Sequence, residues 1–369
     1  MNSVASYQAL ALQIRCRAVN ACHGVPEARE LLRANIDRLA KMIPANKAFI
    51  GPACKLVVLP EYVLTGFPLG ESFSQWREKA CISVDSPEME SLCRIAQDNN
   101  VYLAVNAYEK EKHFPELFFQ GCFLISPEGR VVLHYRRTNS VFSPTPFDVW
   151  NKYLEVYGED ALFPVADTPL GRMAFVASDE ILFPEVARMA LMKGAEILLH
   201  PTSETHSPIS SGKDVCKQAR AVENLAYVIS ANTAGIEGTP VCAESADGGS
   251  RIVDYRGRIL AMAGTGESLN AFAEIHIANL REARRQTGMQ NLVARQRYGQ
   301  YSEFYQRAEG VPPNALAGVN DPGLKPAGES HPDSEPQLKR HVESQPGRAQ
   351  LLALQRETIS RLEKKGVLP

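Results

Sequence analysis

The stretch TPLGRMAFVASDEILFPEVARMALMKGAEILLHPTSE, residues 168 to 204, is the most informative part of the sequence because it alternates strand and helix patterns. Two apolar runs, RMAFVAS at 172 to 178 and AEILLHP at 195 to 201, have the length and composition of buried strands. The residues between them, from about Pro184 to Lys193, have the pattern of a helix. The segment therefore predicts a strand, a helix and a second strand in succession.

The same alternation extends on both sides of this segment. A helix over 25 to 43 is predicted by its apolar stripe of Leu31, Ile36, Leu39 and Ile43. Further strands are predicted at 7 to 18, 55 to 61, 101 to 109 and 226 to 232, with helices at 87 to 100 and around 213 to 225. Paired apolar runs predict hairpins at 122 to 135 and 250 to 264. This mixture favours a layered α/β domain with helices outside and buried sheet faces.

The composition changes near residue 309, where proline, glycine, serine and charged residues replace the apolar runs. Such a segment cannot bury enough apolar surface to order itself independently. We therefore expect a globular domain over residues 1 to 308 and a linker over 309 to 346. Residues 347 to 369 are expected to hold an amphipathic helix, with Leu352, Ile359 and Leu362 on its apolar side. This helix is expected to pack on its own domain or on a partner subunit.

The overall composition excludes several classes of function. The 40 Lys and Arg residues nearly balance the 42 Asp and Glu residues, which argues against a nucleic-acid-binding surface. No apolar run approaches the roughly 18 residues of a membrane span, and the N-terminus lacks the pattern of a secretory signal. A cytoplasmic location is therefore expected, without nucleic-acid or membrane partners. The 8 cysteines form no CxxC pair or zinc-type cluster, so we expect neither a metal nor another cofactor.

Four segments, in this order, resemble the nitrilase (carbon–nitrogen hydrolase) superfamily over roughly residues 7 to 285. They are LVVLPEYVLTGFP at 56 to 68, EGRVVLHYRRTNS at 128 to 140, the stretch at 168 to 204, and ARAVENLAYVISANTAG at 219 to 235 with GGSRIVDYRGRILA at 248 to 261. The resemblance implies a four-layer αββα sandwich. It also implies a homodimer or larger homo-oligomer that pairs through helices between residues 184 and 227.

The resemblance places three residues at the family's catalytic positions. Glu61 stands where the family has its general base, Arg137 where it has its catalytic lysine, and Ser178 where it has its nucleophilic cysteine. In the family's mechanism a thiolate attacks the nitrile or amide carbon, the carboxylate moves protons, and the ammonium stabilises the developing anion. The chain therefore departs from the pattern at two of the three positions.

These two departures have different chemical consequences. Arg137 retains a fixed positive charge but cannot exchange protons, because its pKa lies above about 12. Ser178 needs an adjacent base to attack, whereas a free cysteine ionises near pKa 8.5. It also lacks the GxSxG context of an α/β-hydrolase, since Val176 and Glu180 replace the glycines. An ion pair between Arg137 and Glu61 that closes the former pocket is the structural alternative for these residues.

Several further residues are candidates for substrate contact. Tyr62, Glu155, Glu180, Thr202 and Ser203 follow predicted strands or stand near the family's second glutamate. For Glu180 and its neighbour Asp179 the alternative is a helix N-terminal charge. Glu204 and His206 are expected at the pocket mouth, where His206 is an alternative base, and His200 within its strand is expected to be a core histidine. The thiols of Cys216 and Cys242 are alternatives to the missing cysteine.

Two functions of different class follow. The first is an enzyme that acts on the carbon–nitrogen bond of an amide, nitrile or related small compound through Glu61, Arg137 and Ser178. The second is a catalytically silent protein of the same fold that binds a small molecule or acts as an assembly subunit. The first retains the family's chemistry, whereas the second retains only its architecture.

Overall fold

A computed structural model describes residues 5–204, 211–308, 310–317 and 347–365, in which two six-stranded sheets form the centre of the molecule. The first sheet contains β1 (Tyr7–Ala11), β3 (Cys54–Val58), β4 (Tyr102–Lys110), β5 (Phe118–Ile125), β6 (Val131–Arg136) and β14 (Phe272–Ile275). The second contains β7 (Ala166–Thr168), β8 (Gly171–Phe175), β9 (Ile197–Thr202), β10 (Tyr227–Asn232), β12 (Arg251–Val253) and β13 (Ile259–Met262). Two short strands, β2 (Cys16–Arg17) and β11 (Ile236–Glu237), pair with each other.

Both sheets combine parallel and antiparallel pairs. The first has the order β14-β1-β3-β4-β5-β6, in which β1, β3 and β4 run parallel and the remaining pairs are antiparallel. The second has the order β13-β12-β10-β9-β8-β7, in which β8, β9 and β10 run parallel. Parallel neighbours need a crossover, and helices provide it.

The described residues form ten helices. They are α1 (Val25–Ile50), α2 (Phe73–Ala80), α3 (Pro87–Asp98), α4 (Trp150–Tyr157), α5 (Pro184–Met192), α6 (Gly212–Asn224), α7 (Ile277–Arg285), α8 (Leu292–Arg295), α9 (Gly299–Arg307) and α10 (Gly347–Lys364). Short 3-10 turns cover Pro146–Val149, Glu159–Ala161, Ser178–Leu182 and Ala243–Ser245.

Alternation along the strands separates the apolar side chains into layers. Leu56 and Val58 of β3 pack against Leu199 of β9 between the two sheets, while Val57 faces the cluster beneath α1 and α3. Leu198 of β9 faces the opposite way, toward α5 and α6. The period of two of a strand explains this division, because successive side chains point to opposite faces. The order of layers is helix, sheet, sheet, helix, so the αββα sandwich is confirmed.

The predicted strand over 7 to 18 is wrong in its extent. The chain forms β1, leaves the first sheet, and resumes pairing at β2 against β11. The Cys16 amide donates to the carbonyl of Gly235 at 2.8 Å, which connects this segment to the loop after β10. A single apolar run therefore supplies two strands.

The C-terminal helix α10 buries a different stripe from the predicted one. Leu351, Leu354 and Thr358 are buried, whereas Ile359 is 42% exposed and Leu352 is only half-buried. Residues separated by three and four positions share one helix face, and here that face packs on the chain's own domain. Within the described residues, no helix is long and apolar enough to cross a membrane.

Candidate functional site

Glu61 lies three residues beyond the end of β3, at the point where the two sheets meet. Its amide donates to the carbonyl of Thr202 in β9 at 3.3 Å, and its carbonyl accepts from the hydroxyl of Thr233 at 2.9 Å. The side chain is fully buried. Its Oε1 accepts hydrogen bonds from Gln120 Nε2 at 2.8 Å and from Arg137 Nη1 at 3.0 Å. Its Oε2 is buried without a partner among the described atoms.

Arg137 follows β6 directly, and its guanidinium is only 2% exposed. Besides Glu61, its Nη1 donates to Gln120 Oε1 at 2.6 Å, and its Nε donates to the Asn139 carbonyl at 2.6 Å. Its Nη2 donates to the carboxylate of Asp179. Burial opposes the charge, but the neighbouring anion Glu61 prevails and raises the pKa of Arg137. The guanidinium is therefore a permanent cation paired with two carboxylates.

Ser178 begins the 3-10 turn after β8, and its backbone lies in the left-handed region with a φ of 54°. A residue with a Cβ adopts this conformation at a cost of roughly 1 to 2 kcal/mol. The side chain is buried, and in the described part of the chain no carboxylate or imidazole hydrogen-bonds its hydroxyl. The serine therefore has the sharp turn of a nucleophile without an adjacent base.

His200 lies in β9 beneath Ser178, but it contacts the backbone rather than the hydroxyl. Its Nε2 is 2.8 Å from the carbonyl of Ser178 and its Nδ1 is 2.8 Å from Ser230 Oγ. Complete burial, followed by the charge of Lys217, lowers the pKa of His200 well below 6.5. The imidazole is neutral, donates from Nε2 and accepts at Nδ1. It is a satisfied core histidine rather than a base for Ser178.

Glu180 is a structural brace between the segments that carry Arg137 and Ser178. Its Oε1 accepts from the amides of Thr138 (2.8 Å) and Asn139 (3.0 Å), and its Oε2 accepts from the Ala177 amide (3.0 Å). The Tyr135 hydroxyl donates to the same carboxylate at 2.7 Å. Glu180 is fully buried and its carboxylate is engaged within the chain, an arrangement that neither predicted role, substrate contact or helix N-terminal charge, included.

An aromatic wall lies beside Glu61. The ring of Tyr62, a residue with a φ of 65°, stacks on Tyr108 at 6.3 Å and contacts Phe67 at 4.9 Å. Trp76 meets Tyr108 edge-on at 5.4 Å. Burial, followed by the charge of Glu61, raises the pKa of Tyr62. Burial, followed by the neighbouring Tyr62 and Glu61, raises the pKa of Tyr108. The Tyr108 hydroxyl is buried without a partner among the described atoms.

The segment after β9 reaches the same region. Thr202 is fully buried and its hydroxyl has no partner among the described atoms, while Ser203 is half-buried. Glu204 pairs with the buried Lys217 of α6, and its amide donates to Asn232 Oδ1 at 2.9 Å. Thr202 and Glu204 each have a buried side-chain oxygen without a hydrogen-bond partner among the described atoms, and of these two residues it is Thr202 whose carbonyl accepts from the Glu61 amide.

The remaining candidates lie elsewhere. Glu155 is exposed on α4, and no described hydrogen bond or ion pair joins it to Glu61, Arg137 or Ser178. His206 lies outside the described residues. Cys216 is half-buried on α6, and Cys242 is exposed beside Glu244. Across the described ranges, no group of three or more His, Cys, Asp and Glu residues is arranged to hold a metal.

Gln120 is a site residue that sequence reasoning missed. Its amide joins Glu61 to Arg137, and its Nε2 is also 3.2 Å from Asn106 Oδ1. The signal was a polar residue inside the apolar run FFQGCFLI of β5. A buried amide in a strand requires hydrogen-bond partners, so its position pointed to other polar groups nearby.

Comparisons with known proteins bear on the family and the fold of the chain. The Carbon-nitrogen hydrolase family model matches residues 4–285. A formamidase from Pseudomonas syringae is 28% identical over 269 residues, 73% of each chain. The Schizosaccharomyces pombe protein named Probable nitrilase C965.09 is 27% identical over 186 residues, 50% of this chain but only 64% of its own. A carbon-nitrogen hydrolase structure from Helicobacter pylori has a TM-score of 0.62 at 21% identity, covering 82% of this chain and 99% of that one. Because the family model spans more than half of the sequence, the chain belongs to the carbon–nitrogen hydrolase family.

Proposed function

We propose that this protein is a catalytically silent member of the family that binds a small molecule or assembles with copies of itself. The observation that supports this proposal is the buried ion pair between Arg137 and Glu61, whose Nη1 and Oε1 atoms are 3.0 Å apart. A general base must have a free acceptor within hydrogen-bond reach of the proton that it removes. One oxygen of Glu61 already accepts from a guanidinium and an amide, so only Oε2 is left to accept a proton.

The chemistry of the nucleophile position supports the same proposal. An alcohol attacks only when a base accepts its proton, and the neutral His200 is directed at the Ser178 carbonyl instead. Arg137 cannot donate or accept protons at neutral pH in the way a lysine can. Electrostatic stabilisation of an anion is retained, whereas proton transfer is lost.

A second candidate is a diverged enzyme that acts on a small amide, nitrile or related compound. One observation favours it: Glu61 Oε2, the Tyr108 hydroxyl and the Thr202 hydroxyl are all buried without partners among the described atoms. Buried polar atoms are rarely left unsatisfied, so a water or a small ligand is expected beside them. Such a ligand would donate to the carboxylate oxygen and accept from a hydroxyl.

The two candidates differ in a hydrolysis assay. We would measure ammonia release from formamide and butyramide by the wild-type chain, Ser178→Ala, Glu61→Gln and the double variant Ser178→Cys with Arg137→Lys. If the protein is catalytically silent, the wild type gives no turnover and the double variant gives measurable turnover. Wild-type turnover that both Ser178→Ala and Glu61→Gln abolish would establish the enzyme instead. Because losing one oxyanion donor costs about 10² to 10³ in rate, the assay must detect slow reactions.

A further inference from the structure

We propose that the end of the chain acts in cis as a clasp that holds a site loop closed over Ser178 and Arg137. The clasp is defined as residues 313 to 317 together with α10, and the site loop as residues 138 to 151. The loop begins beside Arg137, and the amide of its Asn139 donates to Glu180 at 3.0 Å. Its Phe142 ring meets Phe67 at 5.2 Å, and Phe67 in turn contacts Tyr62. The site loop therefore lies against the aromatic wall.

The first part of the clasp is bonded to the site loop through the backbone. The Asn314 amide donates to the Phe147 carbonyl at 2.9 Å, and the Leu316 amide donates to the Asp148 carbonyl at 2.8 Å. In return, the Asn151 amide donates to Asn314 Oδ1 at 2.8 Å. Asn314 itself has a φ of 62°, a conformation that asparagine tolerates better than most residues. Asn314 and Leu316 together make three hydrogen bonds to the site loop, which fix the position of the clasp on it.

The second part of the clasp is apolar. Its Leu351 and Leu354 share one buried cluster with Leu316 of the first part, with Tyr153 of α4 and with Tyr62. Through this cluster α10 packs in the same apolar region as the wall of the site, and no described hydrogen bond or ion pair joins α10 to Glu61, Arg137 or Ser178. Val149 of the site loop belongs to the same cluster, so the burial of Leu351 and Leu354 favours the closed loop.

The closed loop explains why the three catalytic positions are barely accessible to solvent. Glu61 is 0%, Arg137 2% and Ser178 5% exposed, although the family's chemistry requires a ligand to reach them. The site loop, rather than a domain movement, is the short segment whose release would open the cluster. The clasp therefore controls access to the site, and α10 is a positioning element that touches no ligand.

The test uses a thiol at position 178 as a reporter of access. In the full-length Ser178→Cys chain, the alkylation rate by iodoacetamide would be measured at each cysteine by peptide mass spectrometry. The clasp variants are Leu351→Glu with Leu354→Glu, and separately Leu316→Glu. Matched controls place the same charges at exposed positions, as Ala353→Glu with Ile359→Glu and as Val311→Glu. Cys54, which is buried where β3 begins, reports global unfolding.

We expect both clasp variants to raise alkylation at position 178 by about tenfold or more, a change in local opening that requires only about 1.4 kcal/mol. The controls should remain within about twofold of the parent, the scatter expected of exposed substitutions. Cys54 should stay protected throughout. An unchanged rate at 178 in both clasp variants would refute the proposal, as would a parallel rise at Cys54. Alkylation requires no hydrolysis, so this result is independent of the function proposed above.

Discussion

Arg137 determines the chemistry available to Glu61 and Ser178, because an arginine in place of the family's lysine changes both the charge distribution and the available space. Its planar fork donates to Glu61, Gln120 and Asp179 at once, which a single ammonium group does less rigidly. A buried pair of this kind costs more to break than it contributes to stability, since removing one partner strands the other charge. Glu61 is accordingly held in place by a neighbour that does not transfer protons.

We predict that Ser178→Cys alone confers no robust amidase or nitrilase activity. The thiol restores a nucleophile, but Arg137 still engages Glu61 and occupies space that a substrate needs. Steady-state ammonia release from small amides is the measurement. Turnover in the usual enzyme range of about 1 to 10³ per second by this single variant would contradict the prediction.

The neutral His200 predicts a pH dependence of stability. Its pKa is far below 6.5 in the folded chain and ordinary in the unfolded chain, so the unfolded state binds the extra proton. Its contribution is complete above pH 6.5 and is lost as the pH falls from there toward the folded pKa. We expect the free energy of unfolding to fall by up to about 1.4 kcal/mol per pH unit below 6.5, a slope that His200→Gln removes. Urea denaturation at pH 5 to 7 measures it, with the exposed His276→Gln as the control that keeps the wild-type slope.

The placement of Glu61 and Arg137 after strands of the first sheet, and of Ser178 after a strand of the second, could be predicted from the sequence because each follows a recognisable strand. Their pairing was available only as an alternative, since sequence spacing does not show where a guanidinium points. The internal role of Glu180 was not visible from the sequence because its five donors come from both sides of a tertiary contact. Gln120 was missed because a lone strand amide forms no motif.

At the scale of elements, the strands were predicted best and the faces of isolated helices worst. Residues 195 to 201 gave a strand because a run buried on both sides is continuously apolar. By contrast, α10 has apolar residues on more than one side, and only its docking selects Leu351 and Leu354 over Leu352 and Ile359. A weakly amphipathic helix does not specify its buried face without the surface that it meets.

Helix α2 offers a test of an element near the site. Ser72 caps it by accepting from the Gln75 amide, and the Gln75 side chain accepts from the Ser72 amide in return. We expect Ser72→Ala to lower the free energy of unfolding by about 1 kcal/mol, because a helix N-terminal amide loses its acceptor. The exposed Ser74→Ala on the same helix is the matched control. Equal denaturation midpoints for the two variants would show that the cap contributes nothing.

At the scale of the molecule, exposed apolar side chains flank the outer layer of the second sheet. Phe183 is 42%, Met192 56% and Val215 57% exposed, on or beside α5 and α6. Exposed apolar side chains that form a contiguous patch indicate an interaction surface. Two-fold pairing through α5 and α6 would cover these side chains and place two sandwiches back to back.

We therefore predict a homodimer or larger assembly through α5 and α6. Light scattering coupled to size-exclusion chromatography at micromolar concentration should give at least twice the mass of 40.6 kDa. Phe183→Glu with Val215→Glu should shift the population to the monomer, because burying two unpaired charges in the interface is unfavourable. Phe49→Glu, at a residue 75% exposed on α1, should not. A wild-type monomer would refute the prediction.

The left-handed turn at Ser178 has an evolutionary consequence. Glycine or asparagine at position 178 would relieve this conformational cost. The position instead holds serine, which differs from cysteine by one atom, in a chain that has the αββα sandwich. The backbone turn of the nucleophile position is thus present under a serine. Under the proposed function, the mutational distance between this chain and an active variant is counted in a few codons, so that hydrolysis could be gained without any change of fold.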